Sequence, residues 1–120
     1  MRFLTTRVHG VLDYLVGLLL LVGPHMHGWH GPAAWVPMAL GAATLVYSVC
    51  TDYELGLLRR IPMPVHLWLD ALSALLLIAS PWLFGFDQNG WDRHVIIGVF
   101  ELLVAFFTNT IPSYERRRAA

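Results

Sequence analysis

The chain has no lysine, a single cysteine and only 13% charged residues. A soluble domain carries roughly 25% charged residues, so about half the charge needed to coat a globule is missing. With Cys50 alone, no internal disulfide and no paired-thiol metal motif can form. The arginines lie at the ends of apolar blocks rather than on a face interleaved with exposed aromatics, which argues against a nucleic-acid partner. What the sequence has instead is apolar: 57% of its 120 residues are hydrophobic, with a mean hydropathy of +0.58. These residues fall in four blocks. That pattern excludes an ordinary soluble enzyme, a disordered tail and a disulfide-stapled secreted domain, and makes the lipid bilayer the expected surroundings.

The blocks run from about Thr6 to Gly23, Ala33 to Cys50, Val65 to Phe86 and His94 to Ile111. Each has about 18 to 22 residues, enough for a helix to cross roughly 30 Å of hydrocarbon. Gly23-Pro24, Gly31-Pro32, Pro62, Pro64 and Pro112 punctuate the ends, and Pro37 and Pro64 fall where a first turn tolerates a missing N–H. Arg2 and Arg7 ahead of the Val11–Val22 run also fit a signal peptide. No small-x-small cleavage site follows, however, Asp13 interrupts the run, and the block has a twin in mid-chain. The expectation is an all-α membrane protein: one domain of four transmembrane helices in an up-down-up-down bundle. Seven of the eight arginines (Arg2, Arg7, Arg59, Arg60, Arg116, Arg117 and Arg118) flank one end of these helices. The positive-inside rule makes that end cytoplasmic. Both termini are therefore expected in the cytoplasm and the protein in the inner (plasma) membrane, with Trp29, Trp35, Trp82 and Trp91 as a belt at the outer face.

Sliding the chain against itself by 57 residues aligns Val8–Asp52 with Val65–Asn109 without a gap. Leucine matches are cheap in apolar helices, but His9/His66, Asp13/Asp70 and Pro24/Pro81 also match. Gly28/Gly85, Gly41/Gly98 and Thr51/Thr108 extend the pattern. Each unit (about 6–54 and about 63–115) holds two helices, so both enter the membrane in the same direction. The implied symmetry is a pseudo-two-fold axis along the membrane normal.

Ser80-Pro81-Trp82, at the end of the third block and ahead of Leu83-Phe84-Gly85-Phe86, resembles the motif of the SPW-repeat family of small bacterial and archaeal integral membrane proteins. That family is described by a repeat of two transmembrane helices with Ser-Pro-Trp on the first. The first unit departs from it, with Gly23-Pro24-His25 in the equivalent place. The resemblance implies an architecture and brings no activity with it.

His9 and Asp13 lie four residues apart, as do His66 and Asp70, which sets each pair on one helical face. At 1.5 Å per residue, Asp13 sits roughly 9 Å into its helix beyond Arg7. Helices two and four carry a matched stripe, Gly41, Thr44, Ser48 and Thr51 against Gly98, Glu101, Ala105 and Thr108. The stripe brings Ser48, Thr51 and Thr108 near the His/Asp layer. Glu101 breaks the symmetry nearer mid-membrane, where a charge costs at least roughly 2.5 kcal/mol. Three uses of the layer stand side by side. It can be a hydrogen-bonded network in a structural or accessory protein. It can be a cofactor site, with His9 and His66 as axial ligands of haem b and Arg7, Arg59 and Arg60 at its propionates, or with His9, Asp13, His66 and Asp70 around a divalent metal ion. It can also be a proton or small-solute path, which would need a homodimer or larger membrane complex. No nucleophile–base motif is visible, so the sequence leans away from an enzyme. His25, His27 and His30 form a separate candidate metal set in an outer loop, and His94 reads as a capping or interfacial residue.

Overall fold

The computed structural model describes residues 2–88, 90–112, 114, 115 and 118. Arg116 and Arg117, which the orientation argument uses, lie outside them. Four helices form: α1 (Thr6–Met26), α2 (Pro32–Val49), α3 (Met63–Leu83) and α4 (Trp91–Phe107). Among the described residues there is no strand, only two isolated bridges. By length and composition α1, α2 and α3 are apolar enough to cross a membrane. α4 has 17 residues, with Asp92 in its first turn.

The starts follow local chemistry. Thr5 caps α1, its hydroxyl accepting from Val8 N at 3.2 Å, while Pro32 and Pro64 sit in the first turns of α2 and α3, where no N–H is needed. Gly90 opens α4 at φ 81°, a left-handed conformation that favours glycine. The ends differ from expectation. α1 runs on through Pro24 to Met26, with Pro24 at the register that Pro81 has in α3. α3 stops at Leu83 rather than Phe86, and α4 at Phe107 rather than Ile111. At Thr108 the backbone turns extended and bridges to Leu4. The second bridge, Thr51 to Ile61, stands in the same 57-residue relation to the first.

Pro37 lies inside α2, not in its first turn, and Pro81 lies inside α3. A proline removes the donor for the carbonyl four residues earlier, and in lipid that carbonyl must find another partner. Ser80 Oγ donates to Leu77 O at 2.7 Å, the carbonyl that Pro81 frees. His94 Nε2 lies 2.8 Å from Ala33 O, the carbonyl that Pro37 frees. His94 is therefore a buried inter-helix donor, packed against Trp29 and Phe86.

α1 packs on α2, α3 on α4, and α2 meets α3. Glycine sets the first two approaches. A Cβ on Gly41 would lie 2.7 Å from Gly17 O, and one on Gly98 would lie 2.9 Å from Ala74 O. The interior is polar: Thr6, His9, Asp13, Thr44, Ser48, Thr51, His66, Asp70, Ser80, His94 and Thr108 are buried, while Leu15, Leu18, Leu72, Leu75, Ile96 and Phe106 face outward. Water would reward the opposite distribution; a hydrocarbon solvent accepts this one.

Candidate functional site

α1 brings His9 and Asp13, and α3 brings His66 and Asp70, into one buried layer. His9 Nε2 lies 3.0 Å from Asp13 Oδ1 and 2.8 Å from Asp70 Oδ2. His66 Nε2 lies 3.0 Å from Asp13 Oδ2 and 3.2 Å from Asp70 Oδ2. Each histidine thus faces its own aspartate and that of the other unit. One ligand atom from each residue can be chosen so that all four lie within 4.8 Å of one another.

The threonines fix the rings. Thr51 Oγ1 donates to Tyr47 O at 2.6 Å, and Thr108 Oγ1 to Val104 O at 2.5 Å. A hydroxyl has one proton, so toward the histidines these oxygens can only accept. His66 Nδ1–H therefore donates to Thr51 at 2.6 Å, and His9 Nδ1–H to Thr108 at 2.7 Å. Both Nε2 atoms are left to face the carboxylates. His9 Nε2 makes a hydrogen bond to Asp70. His66 Nε2 is close to two carboxylate oxygens, yet this fully buried nitrogen forms no hydrogen bond among the described residues.

Two tyrosines that sequence reasoning missed complete the layer. Tyr47 Oη donates to Asp70 Oδ1 at 2.5 Å, and Tyr53 Oη to Asp13 Oδ2 at 2.9 Å. At the 57-residue offset Val104 and Thr110 stand in their places, although Tyr53-Glu54 after the first unit is echoed by Tyr114-Glu115 after the second. The signal available was Tyr47 lying one turn before Thr51 on the inward face. Tyr53 sits in the connection after α2, packed with Met63, Leu67 and Ala105. Burial, then the Asp13 charge, hold its phenol above the usual tyrosine range, so it stays a donor.

Of the other expected residues, Thr51 and Thr108 join the layer, and Glu101 lines a small cavity beside it. Ser48 is fully buried close to Tyr53. Arg7, Arg59 and Arg60 are exposed, with Arg59 bonded to Gly56 O and lying over Tyr114. His25, His27 and His30 are exposed and are not brought together as a ligand set. The two imidazoles touch edge to face, with centroids 5.3 Å apart and 74° between planes. Carboxylate oxygens stand against both Nε2 atoms, which leaves no slot for a porphyrin between the rings.

A family model, the SPW repeat domain, matches residues 7–108. The chain belongs to the SPW repeat family. No curated protein and no solved structure matches it. Within this SPW repeat protein the motif has a physical account. Ser80 re-bonds the carbonyl that Pro81 frees, while Trp82 faces outward beside Trp91, at 6.0 Å between ring centroids. Membership and three apolar helices together mark a small membrane protein.

Proposed function

We propose that this is a four-span inner-membrane protein, both termini cytoplasmic, whose central layer binds one divalent transition-metal ion through His9, Asp13, His66 and Asp70. α4 would complete the span count: at 1.5 Å per residue it is about 26 Å long, close to the hydrocarbon thickness. The single observation carrying the metal reading is the pair of Nδ1–H···Oγ bonds. Metal-ligating histidines donate their other ring N–H to a fixed acceptor, and here both do. The two Nε2 atoms then converge on two carboxylates.

The spacing supports the same reading. Metal–N and metal–O bonds of about 2.0–2.2 Å set tetrahedral ligand edges near 3.3 Å; Asp70 Oδ2 stands 2.8 Å from His9 Nε2 and 3.2 Å from His66 Nε2, and one ligand atom from each of the four residues can be chosen within 4.8 Å of the others. Charge balances as well. Two aspartates and two neutral histidines around a divalent cation sum to zero, which a low-dielectric interior favours. Imidazole with carboxylate suits zinc, iron or manganese, and the absence of a slot between the rings disfavours haem.

Elemental analysis of detergent-purified protein tests the proposal. The expected result is one divalent ion per chain, lost in His9→Ala and His66→Ala and accompanied by no Soret band. Metal-free protein that takes up no added zinc would overturn it. In that case the layer is a hydrogen-bonded seam joining two helix hairpins, a reading favoured by the His9–Asp70 bond at 2.8 Å.

A further inference from the structure

The two flanks of the layer differ. On the α2 flank Tyr47 reaches Asp70, with Thr44 Oγ1 3.3 Å from its hydroxyl. Fifty-seven residues on, α4 has Val104 for Tyr47 and Glu101 for Thr44. Valine is too short to reach the layer. A cavity of about 20 Å³ lies beside the layer there, walled by His9, Asp13 and Asp70, by Glu101 and Val104 of α4 and by Thr44 of α2. The volume suits one water-sized molecule, and the wall offers the two to four polar partners that such a molecule needs.

Glu101 supplies a second observation. Its Oε2 is buried and has no hydrogen-bond partner among the described residues. A buried carboxyl oxygen left unpaired is costly, and the cavity between it and the layer is where a partner fits. Four protein ligands alone would fill a tetrahedral site, but such ions expand to five-coordination where there is room for a further ligand, and the cavity supplies that room. We propose that the metal centre is open on its α4 flank: the cavity admits one water-sized ligand to the ion, and Glu101 hydrogen-bonds to that ligand. The inference rests on the metal reading above and makes the centre a ligand-binding one rather than a clasp.

Cobalt(II) is the probe, because its visible spectrum reports both its presence and its coordination, and cyanide is the ligand, because it enters apolar sites as neutral HCN. Wild-type protein is expected to bind one cobalt per chain and to change spectrum saturably with cyanide. Val104→Tyr places in the second unit the side chain that the first unit already carries. It should keep the cobalt and lose the cyanide response. Should that variant fail to load cobalt, Glu101→Leu carries the test, with cobalt retained and cyanide binding weakened by roughly tenfold. Wild-type protein that binds no cobalt overturns the metal reading and this inference together. A cobalt spectrum that cyanide does not move overturns this inference alone and leaves a closed metal centre. A response that neither variant diminishes also overturns it, since the ligand then enters elsewhere.

Discussion

Replacing Thr51 with valine removes one hydroxyl and little volume. The change breaks two bonds at once, the 2.6 Å bond from His66 Nδ1–H and the 2.6 Å bond to Tyr47 O. His66 is fully buried, so no water replaces the lost acceptor, and the ring is free to move its proton to Nε2. Loss of such an orienting partner typically lowers metal affinity by about 10- to 100-fold, which is about 1.4–2.7 kcal/mol. The assay is competition for zinc against a chromophoric chelator in detergent. Thr51→Ser, which keeps the hydroxyl, should bind within a few-fold of wild type. Thr108→Val should match Thr51→Val, because Thr108 serves His9 in the same way at 2.7 Å. In the double variant the two losses should multiply, as they act on different rings. Unchanged zinc affinity in Thr51→Val, with helical content intact, would refute the argument that threonine fixes the tautomer.

Asp70→Asn should abolish metal binding and destabilise the protein by about 3–5 kcal/mol, since it removes one partner of a buried charged network; thermal unfolding followed by circular dichroism reads the loss. Metal uptake should release about one proton per ion, from His9 Nε2, which donates to Asp70, so affinity should fall as pH falls; a pH indicator in weakly buffered detergent counts it. Ser80→Ala leaves the Leu77 carbonyl without the 2.7 Å bond from the serine hydroxyl and should cost about 0.6–1 kcal/mol, a small fall in melting temperature with metal affinity unchanged. Gly41→Ala would place a Cβ 2.7 Å from Gly17 O and should cost about 1–3 kcal/mol by forcing α1 from α2.

The site was legible in proportion to its symmetry. His9, Asp13, His66 and Asp70 stood out because rare polar residues recurred in apolar helices at one offset, and that offset pairs each histidine with the other unit's threonine. Tyr47 and Tyr53 broke the repeat and were passed over, yet each donates to one aspartate. The end of α4 was placed four residues late, at Ile111 ahead of Pro112, although Thr108, Asn109 and Thr110 interrupt the apolar run. What ends it is a long-range pairing of Leu4 with Thr108, invisible to a local pattern. His94 read as interfacial because its partner, the Ala33 carbonyl, is orphaned only by Pro37 on another helix. Arg2 read as a topological charge alone, yet it donates to Ala105 O and Thr108 O, satisfying carbonyls at the end of α4.

The crossed pairing of histidines and threonines, His9 with Thr108 and His66 with Thr51, has a consequence for ancestry. Neither hairpin holds a finished centre, because each lends its threonine to the other's ring. A single-hairpin forerunner would have had to meet a second copy of itself to orient either histidine. Joining two copies in one gene would release them from being identical, and Tyr47 against Val104 and Thr44 against Glu101 are differences of that kind, with Thr44, Val104 and Glu101 meeting at one small cavity. A cleft on one side only is something an obligatory homodimer could not have evolved.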